Sequence, residues 1–212
     1  LDNPSYLTAT SICSSLFSMI FWSFGFLRMG TVGMIAQSYG SKKYNEILDL
    51  VIRNIIFVIL ISIILISIQL YILNLSLKIF ELSNITKEYF KDYFKIRIYS
   101  SFGELTIYVI TGLFIGLQKT KISSVVVGFF SISNIILSLF FVLYLNMNIR
   151  GVALGTLFSS TFTSFIFLIY TFYKLKKLTQ LNITIHRIFN IIEIKKIFNI
   201  NFDIFIRTVL LT

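Results

Sequence analysis

F-G-F-L-R-M-G-T-V-G-M-I-A-Q-S-Y-G, residues 24–40, sets one arginine, four glycines and a glutamine in an otherwise apolar run. It follows 25 uncharged residues between Asp2 and Arg28, enough for a helix to cross a bilayer core, which needs about 20 apolar residues. An ionisable side chain inside a membrane span is a functional candidate by default, and glycines three to five positions apart admit a neighbouring backbone. A long cation near a helix end also snorkels to the interface. The residues favour that plainer role, so Arg28, Gly30, Gly33 and Gln37 are expected to form a helix-packing motif.

The whole chain agrees with this membrane reading. Its 212 residues are 56% hydrophobic and 13% charged, with a mean hydropathy of +0.86. That is more apolar surface than one soluble core can hide, so the solvent is lipid. The single Cys13 has no partner, which excludes disulfides and cysteine-ligated metals within the chain. The net charge of +10 lies in short clusters between apolar runs, a pattern of membrane topology rather than of nucleic-acid binding. No nucleic-acid partner and no cofactor are expected.

Working outward, the reading is an all-α, polytopic transmembrane helical bundle. Spans are expected over residues 4–40, 54–77, 85–118, 122–145 and 151–173, with Pro4 in the first turn of the first. Residues 41–53 read as a short amphipathic connector, and Ser83 and Asn84 as a helix start. Residues 174–200 read as a basic cytoplasmic connector, and 201–212 as the opening of a further span. The lone His186 in that connector is assigned no role.

The lysines and arginines set an orientation. Lys42, Lys43, Arg53, Lys119, Lys121, Lys174, Lys176, Lys177, Arg187, Lys195 and Lys196 fall on one side, and only Lys78, Lys87, Lys91, Lys95 and Arg150 on the other. The richer side is predicted to be cytoplasmic. Leu1 then lies outside. With no starting methionine and no signal-peptide pattern, the reading expects a preceding crossing segment that this chain does not contain.

Several stretches carry a resemblance. F-G-F-L-R-M-G-T with G-M-I-A-Q-S-Y-G resembles the second transmembrane helix of the multidrug and toxic compound extrusion (MATE) family, in its DNA-damage-inducible protein F branch. Y-F-K-I-R-I from Tyr93 and G-L-F-I-G-L-Q-K-T-K from Gly112 resemble the fourth helix and its inner turn. N-I-I-L-S-L-F-F-V from Asn134 resembles helix five, G-V-A-L-G-T from Gly151 helix six, and N-F-D-I-F-I-R-T from Asn201 the start of helix seven. The resemblance implies an incomplete N-terminal lobe over residues 1–200 and the start of a second lobe after it. Helix one and the rest of the second lobe would be its partners, together with the lipid bilayer and small organic substrates. It also implies a multi-pass protein of the inner (plasma) membrane that exports organic, often cationic, compounds by antiport with H⁺ or Na⁺.

The same resemblance names an ion-coupling cluster. Asn134 matches the family's helix-five asparagine and Thr156 its helix-six threonine, whereas Ser138 occupies the helix-five aspartate position. Asn134 and Ser138 are four apart and share a helical face. Glu104 is the one carboxylate of the chain at membrane depth; it is a candidate substitute for the absent acid, or an interfacial residue paired with Arg97. The pair Gly112 and Gly116 reads as packing. Two alternatives stand beside the exporter: a flippase of lipid-linked precursors from the wider superfamily, and a non-functional gene remnant. An intramembrane enzyme would need a catalytic constellation at one depth, and the chain offers only Glu104 and a distant His186.

Overall fold

The computed structural model describes residues 4–178 and 189–210, so His186 and Arg187 lie outside the described residues. Every regular element among them is helical. The order is α1 (Pro4–Ser23), α2 (Gly25–Gly40), α3 (Tyr44–Ser67), α4 (Gln69–Ile79), α5 (Asn84–Arg97), α6 (Ser101–Gly116), α7 (Thr120–Leu139), α8 (Asn148–Leu178) and α9 (Ile191–Leu210). Five stretches are long and apolar enough to cross a membrane: Pro4–Gly40, Tyr44–Ser67, Asn84–Gly116, Thr120–Tyr144 and Asn148–Lys177. The protein is therefore a multi-pass membrane protein.

The boundaries follow local chemistry. Ser83 caps α5, its hydroxyl accepting from the Thr86 N–H at 3.3 Å. At the basic-rich end, α2 and α6 stop in the same way. Lys42 and Gln118 take left-handed backbone (φ 58° and 60°), and the next N–H groups reach back to Ser38 and Phe114 carbonyls at 2.9 and 2.7 Å. Each of these turns brings the chain back into the bilayer within a few residues.

Two expectations on boundaries are corrected, and a third gains detail. The first span is found as expected at Pro4–Gly40; its 37 residues, about 55 Å at ~1.5 Å per residue, exceed the ~30 Å of a hydrocarbon core, and a break at Phe24 divides it into α1 and α2. The connector expected at 41–53 is the first three turns of α3, because Ile47, Leu48, Leu50 and Val51 bury there and carry the helical pattern straight into the apolar run. The expected connector at 174–200 is likewise helical at both ends: α8 continues to Leu178, and α9 runs without a break across residue 200. Lys174 and Lys177 ride the last turns of α8 over the rings of Tyr170 and Tyr173, at 5.5 and 4.6 Å.

In the packed lobe, α6 lies against α2, α3, α7 and α8, and α1 runs along α5. Two apolar cores result. One gathers Phe17, Phe21, Phe90, Phe94 and Leu105 around α1, α5 and α6; the other gathers Ile35, Ile47, Leu113, Phe114, Val126 and Leu175 at the basic-rich end. Leu60, Ile63, Ile64, Ile132, Ile135, Ile136, Phe162 and Phe165 stay exposed on the outside of the bundle.

Candidate functional site

The most extensive helix pairing among the described residues joins α7 and α8, and two glycines permit it. A Cβ on Gly155 would lie 2.7 Å from the Ser138 Cα, and one on Gly151 would lie 3.0 Å from the Phe141 carbonyl carbon. This contact sets Asn134 opposite the hydroxyls of α8. Its Nδ2 donates to Thr156 Oγ1 at 2.9 Å and to Ser159 Oγ at 3.3 Å.

The direction of these bonds is fixed by the backbone. Thr156 spends its hydroxyl proton on the Val152 carbonyl at 3.1 Å and Ser159 on the Thr156 carbonyl at 3.1 Å, so both oxygens are left as acceptors. The amide must therefore present its NH₂ to α8. Its Oδ1 points away with no hydrogen-bond partner among the described residues. Ser138, one turn on, is half-buried, with its hydroxyl oxygen enclosed against Gly155 and without a hydrogen-bond partner. The seam continues to α6, where Gly103 lets Ser160 come within 2.7 Å of the position its Cβ would take.

Glu104 belongs to a different cluster. It sits in the first turn of α6 and Arg97 in the last turn of α5, either side of a 3₁₀ turn at Ile98–Ser100. Arg97 pairs with the Glu104 carboxylate, and Ser100 Oγ lies 3.1 Å from the same oxygen. The guanidinium stacks over the rings of Phe17 (5.2 Å) and Phe21 (5.4 Å). Each charge lies at the helix end whose dipole favours it, the acid at an N-terminus and the base at a C-terminus. Both side chains are nearly buried, at 11% and 14% exposure. The structure thus joins Asn134 with Thr156 and Ser159, sets Ser138 beside them, and directs Glu104 to Arg97 instead.

The glycine motif needs a correction. Gly30 is covered by Asn201 of α9, but a Cβ on Gly33 would meet nothing within 4 Å. The tight approach is made from the other helix. Gly112 and Gly116 of α6 receive the Arg28 carbonyl and the Ile35 side chain, each 2.8 Å from where a Cβ would sit. Gly33 faces outward because α2 turns its Thr31 and Ile35 face to α6. Arg28 is exposed, and Gln37 lines a cavity of about 450 Å³ at the basic-rich end together with Ser38, Glu46, Asp49, Arg53 and Glu193. Sequence reasoning passed over Asp49, which is 4% exposed, because it was counted with the charges of a connector. Its signal was the helical spacing of the apolar residues around it. Ser159 was passed over as one hydroxyl in a run of many.

Comparison with known proteins places these features. The MatE family model matches residues 1–140. The chain is 28% identical over 156 residues to DNA damage-inducible protein F of Escherichia coli (strain K12), covering 74% of this chain and 34% of that protein. Its fold matches a multidrug resistance MATE family transporter of the MOP superfamily in the outward-facing conformation, with a TM-score of 0.80, 20% identity, and 92% of this chain and 43% of that one covered. It also matches a MOP superfamily transporter from Pyrococcus furiosus Vc1 (DSM3638), with a TM-score of 0.82, 20% identity, and 94% and 44% covered. At those identities the likeness is one of fold. The chain spans about a third of the curated relative, at 34%, and less than half of either solved transporter.

Proposed function

The chain belongs to the MatE family, and from that premise we propose that it forms most of one helical lobe of a transporter in the inner membrane that exports small organic, often cationic, compounds in exchange for H⁺ or Na⁺. In this reading it is no enzyme, and the remaining helices of the transporter are its partners. The observation that carries the reading is the Asn134–Thr156–Ser159 contact, a polar cluster within two stretches long and apolar enough to cross a membrane. Polar groups there are costly and are kept where a pathway needs them.

The cluster supplies neutral oxygen and amide groups only. Ser138 stands where an acid would have provided charge, and Glu104 is already committed to Arg97. The titrating or cation-neutralising carboxylate of the cycle therefore comes from a part of the transporter outside this lobe seam, and Asn134 orients the ligand or ion beside it.

The test is Asn134→Ala in the complete transporter, read as energy-dependent ethidium efflux at matched protein level. Removing two hydrogen bonds worth ~1 kcal/mol each should lower efflux about tenfold or more. Efflux at the parental rate would overturn the assignment.

A further inference from the structure

Beyond transport, we propose that the α6–α7–α8 corner of the basic-rich end binds anionic phospholipid, with lipid phosphates on Lys119, Lys121, Lys174, Lys176 and Lys177 and acyl chains along α7 and α8. Two ring contacts bring these lysines to one level. Phe129 of α7 meets Phe167 of α8, which runs back the other way, with ring centroids 5.8 Å apart. Counted along each helix from that contact, Lys121 comes level with Leu175, and Lys174, Lys176 and Lys177 lie around it. Phe114 of α6 meets Tyr170 of α8 at 5.8 Å, and the Lys119 N–H donates to the Phe114 carbonyl at 2.7 Å, which ties Lys119 to the same end.

Uncompensated charge sets this corner apart. Between Asp92 and Glu193 the sequence holds one carboxylate, Glu104, and Arg97 takes it. None of the five lysines makes an ion pair among the described residues. Lys174 and Lys177 lie over the rings of Tyr170 and Tyr173, a contact that leaves ammonium N–H groups for a phosphate. Across the same end the cations meet acids instead: Lys43 pairs with Glu46 at 3.3 Å, and Arg53 shares its cavity with Glu46, Asp49 and Glu193. Position then selects a lipid over a soluble anion. Lys119 and Lys121 flank the start of the crossing stretch Thr120–Tyr144, and Lys177 ends the stretch Asn148–Lys177, so their ammonium groups lie at the depth of headgroups. An exposed apolar stripe runs from Lys121 through Val125, Phe129 and Ile132 on α7, and another from Lys177 through Tyr173 and Ile169 on α8. An anionic phospholipid uses both the lysines and the stripes, whereas a soluble anion would use the lysines alone.

The experiment uses the complete transporter in detergent, titrated with phosphatidylglycerol or phosphatidylcholine of identical chains, with retained lipid counted by native mass spectrometry. One lysine at the membrane surface corresponds to about a fivefold preference for the anionic lipid, so the pair Lys121→Gln, Lys177→Gln should lower the preference by about fivefold or more. The pair Lys121→Arg, Lys177→Arg should keep it. Lys42→Gln, Lys43→Gln removes as much charge from the compensated side and should leave the preference within about twofold of the parent. A photoactivatable phosphatidylglycerol gives a measurement that needs no variant: its cross-links should concentrate on peptides holding residues 119–121 and 174–177 over those holding 42–53. Equal retention of the two lipids by the parent, equal losses from the two glutamine pairs, even cross-linking of the three segments, or displacement of the lipid by equimolar inorganic phosphate would each overturn the site.

Discussion

Replacing Glu104 with glutamine would leave the Arg97 guanidinium charged in a site where little water reaches it. The side chains are 11% and 14% exposed, and breaking a nearly buried pair by removing one partner costs about 3–5 kcal/mol. Arg97 would keep its stacking on Phe17 and Phe21, worth about 0.5–2 kcal/mol, which moves the loss toward the lower figure. Arg97→Leu has no such relief. It strands Glu104 with Ser100 alone and frees the face of two rings, so it should lie at the upper figure. For a chain of this size about 2–4 °C of Tm accompany each kcal/mol, giving losses of about 6–20 °C for the single variants.

The double variant Arg97→Leu, Glu104→Leu is the discriminating protein. If the penalty is that of an unpaired buried charge, removing both charges should restore most of the loss, to within about 1–2 kcal/mol of the parent. Heating in detergent, followed by the fraction that still elutes as a monodisperse peak, gives the four melting midpoints of the cycle. Single variants within about 2 °C of the parent would refute the reasoning, since that is the shift of a surface pair worth ~1 kcal/mol or less. So would a double variant as damaged as the sum of the singles.

The remaining expectations concern packing, turns and topology. Gly155→Leu and Gly112→Leu should each lower folded yield in detergent by overpacking worth about 1–3 kcal/mol, whereas Gly33→Leu, which meets open space, should match the parent. Lys42→Gly and Gln118→Gly relieve left-handed backbone at two helix ends and should each stabilise by ~1 kcal/mol, read as a rise of about 2–4 °C in Tm; no rise would place the strain elsewhere. In a background lacking Cys13, cysteines introduced at Ser41 and Lys177 should react only from the cytoplasmic side and one at Lys87 only from outside, and external labelling at Lys177 in intact cells would reverse the orientation.

The spans could be read from sequence because lipid imposes a crude rule: about 20 uncharged residues cross, and charges stop them. The rule fails at the edges. Asp49 and Arg53 make residues 41–53 read as a connector, but α3 begins at Tyr44, and Ile47, Leu50 and Val51 set its buried face. The breaks at Phe24 and Ile98–Ser100 have no proline or glycine pair to announce them, and depend on what packs alongside. Glycine spacing has a similar limit. It identifies a surface that can be approached closely, yet nothing in residues 24–40 tells that α6 supplies the glycines and α2 the side chains. At the candidate site, Asn134 and Thr156 could be named from a resemblance, but their contact depends on how far α8 is rotated. That rotation alone distinguishes Ser159 from Thr161 and Thr163 beside it.

That rotation also settles the polarity of the seam. On α8 the hydroxyls of Thr156, Ser159, Ser160, Thr161 and Ser164 all donate to carbonyls three or four residues back, at 2.8–3.1 Å. A hydroxyl whose proton is held in this way can only accept from a ligand or a neighbouring helix, so these five positions build an acceptor face, beside the unpartnered hydroxyls of Thr163, Thr171 and Ser138. Asn134 is the donor that this face meets, and its use there turns Oδ1 outward as a further acceptor. The uncommitted groups of the Asn134 cluster are thus mainly oxygen lone pairs. Such a surface complements an ammonium or a sodium ion better than an anion, which would find few N–H or O–H groups to hold it. Ser138 is the position where one substitution changes this balance most, since its unpartnered hydroxyl lies beside Gly155 where an aspartate would add a full negative charge to an acceptor-rich seam. In the complete transporter, Ser138→Asp should therefore sharpen dependence on the coupling cation, whereas Ser138→Lys would set a like charge against the same ligand.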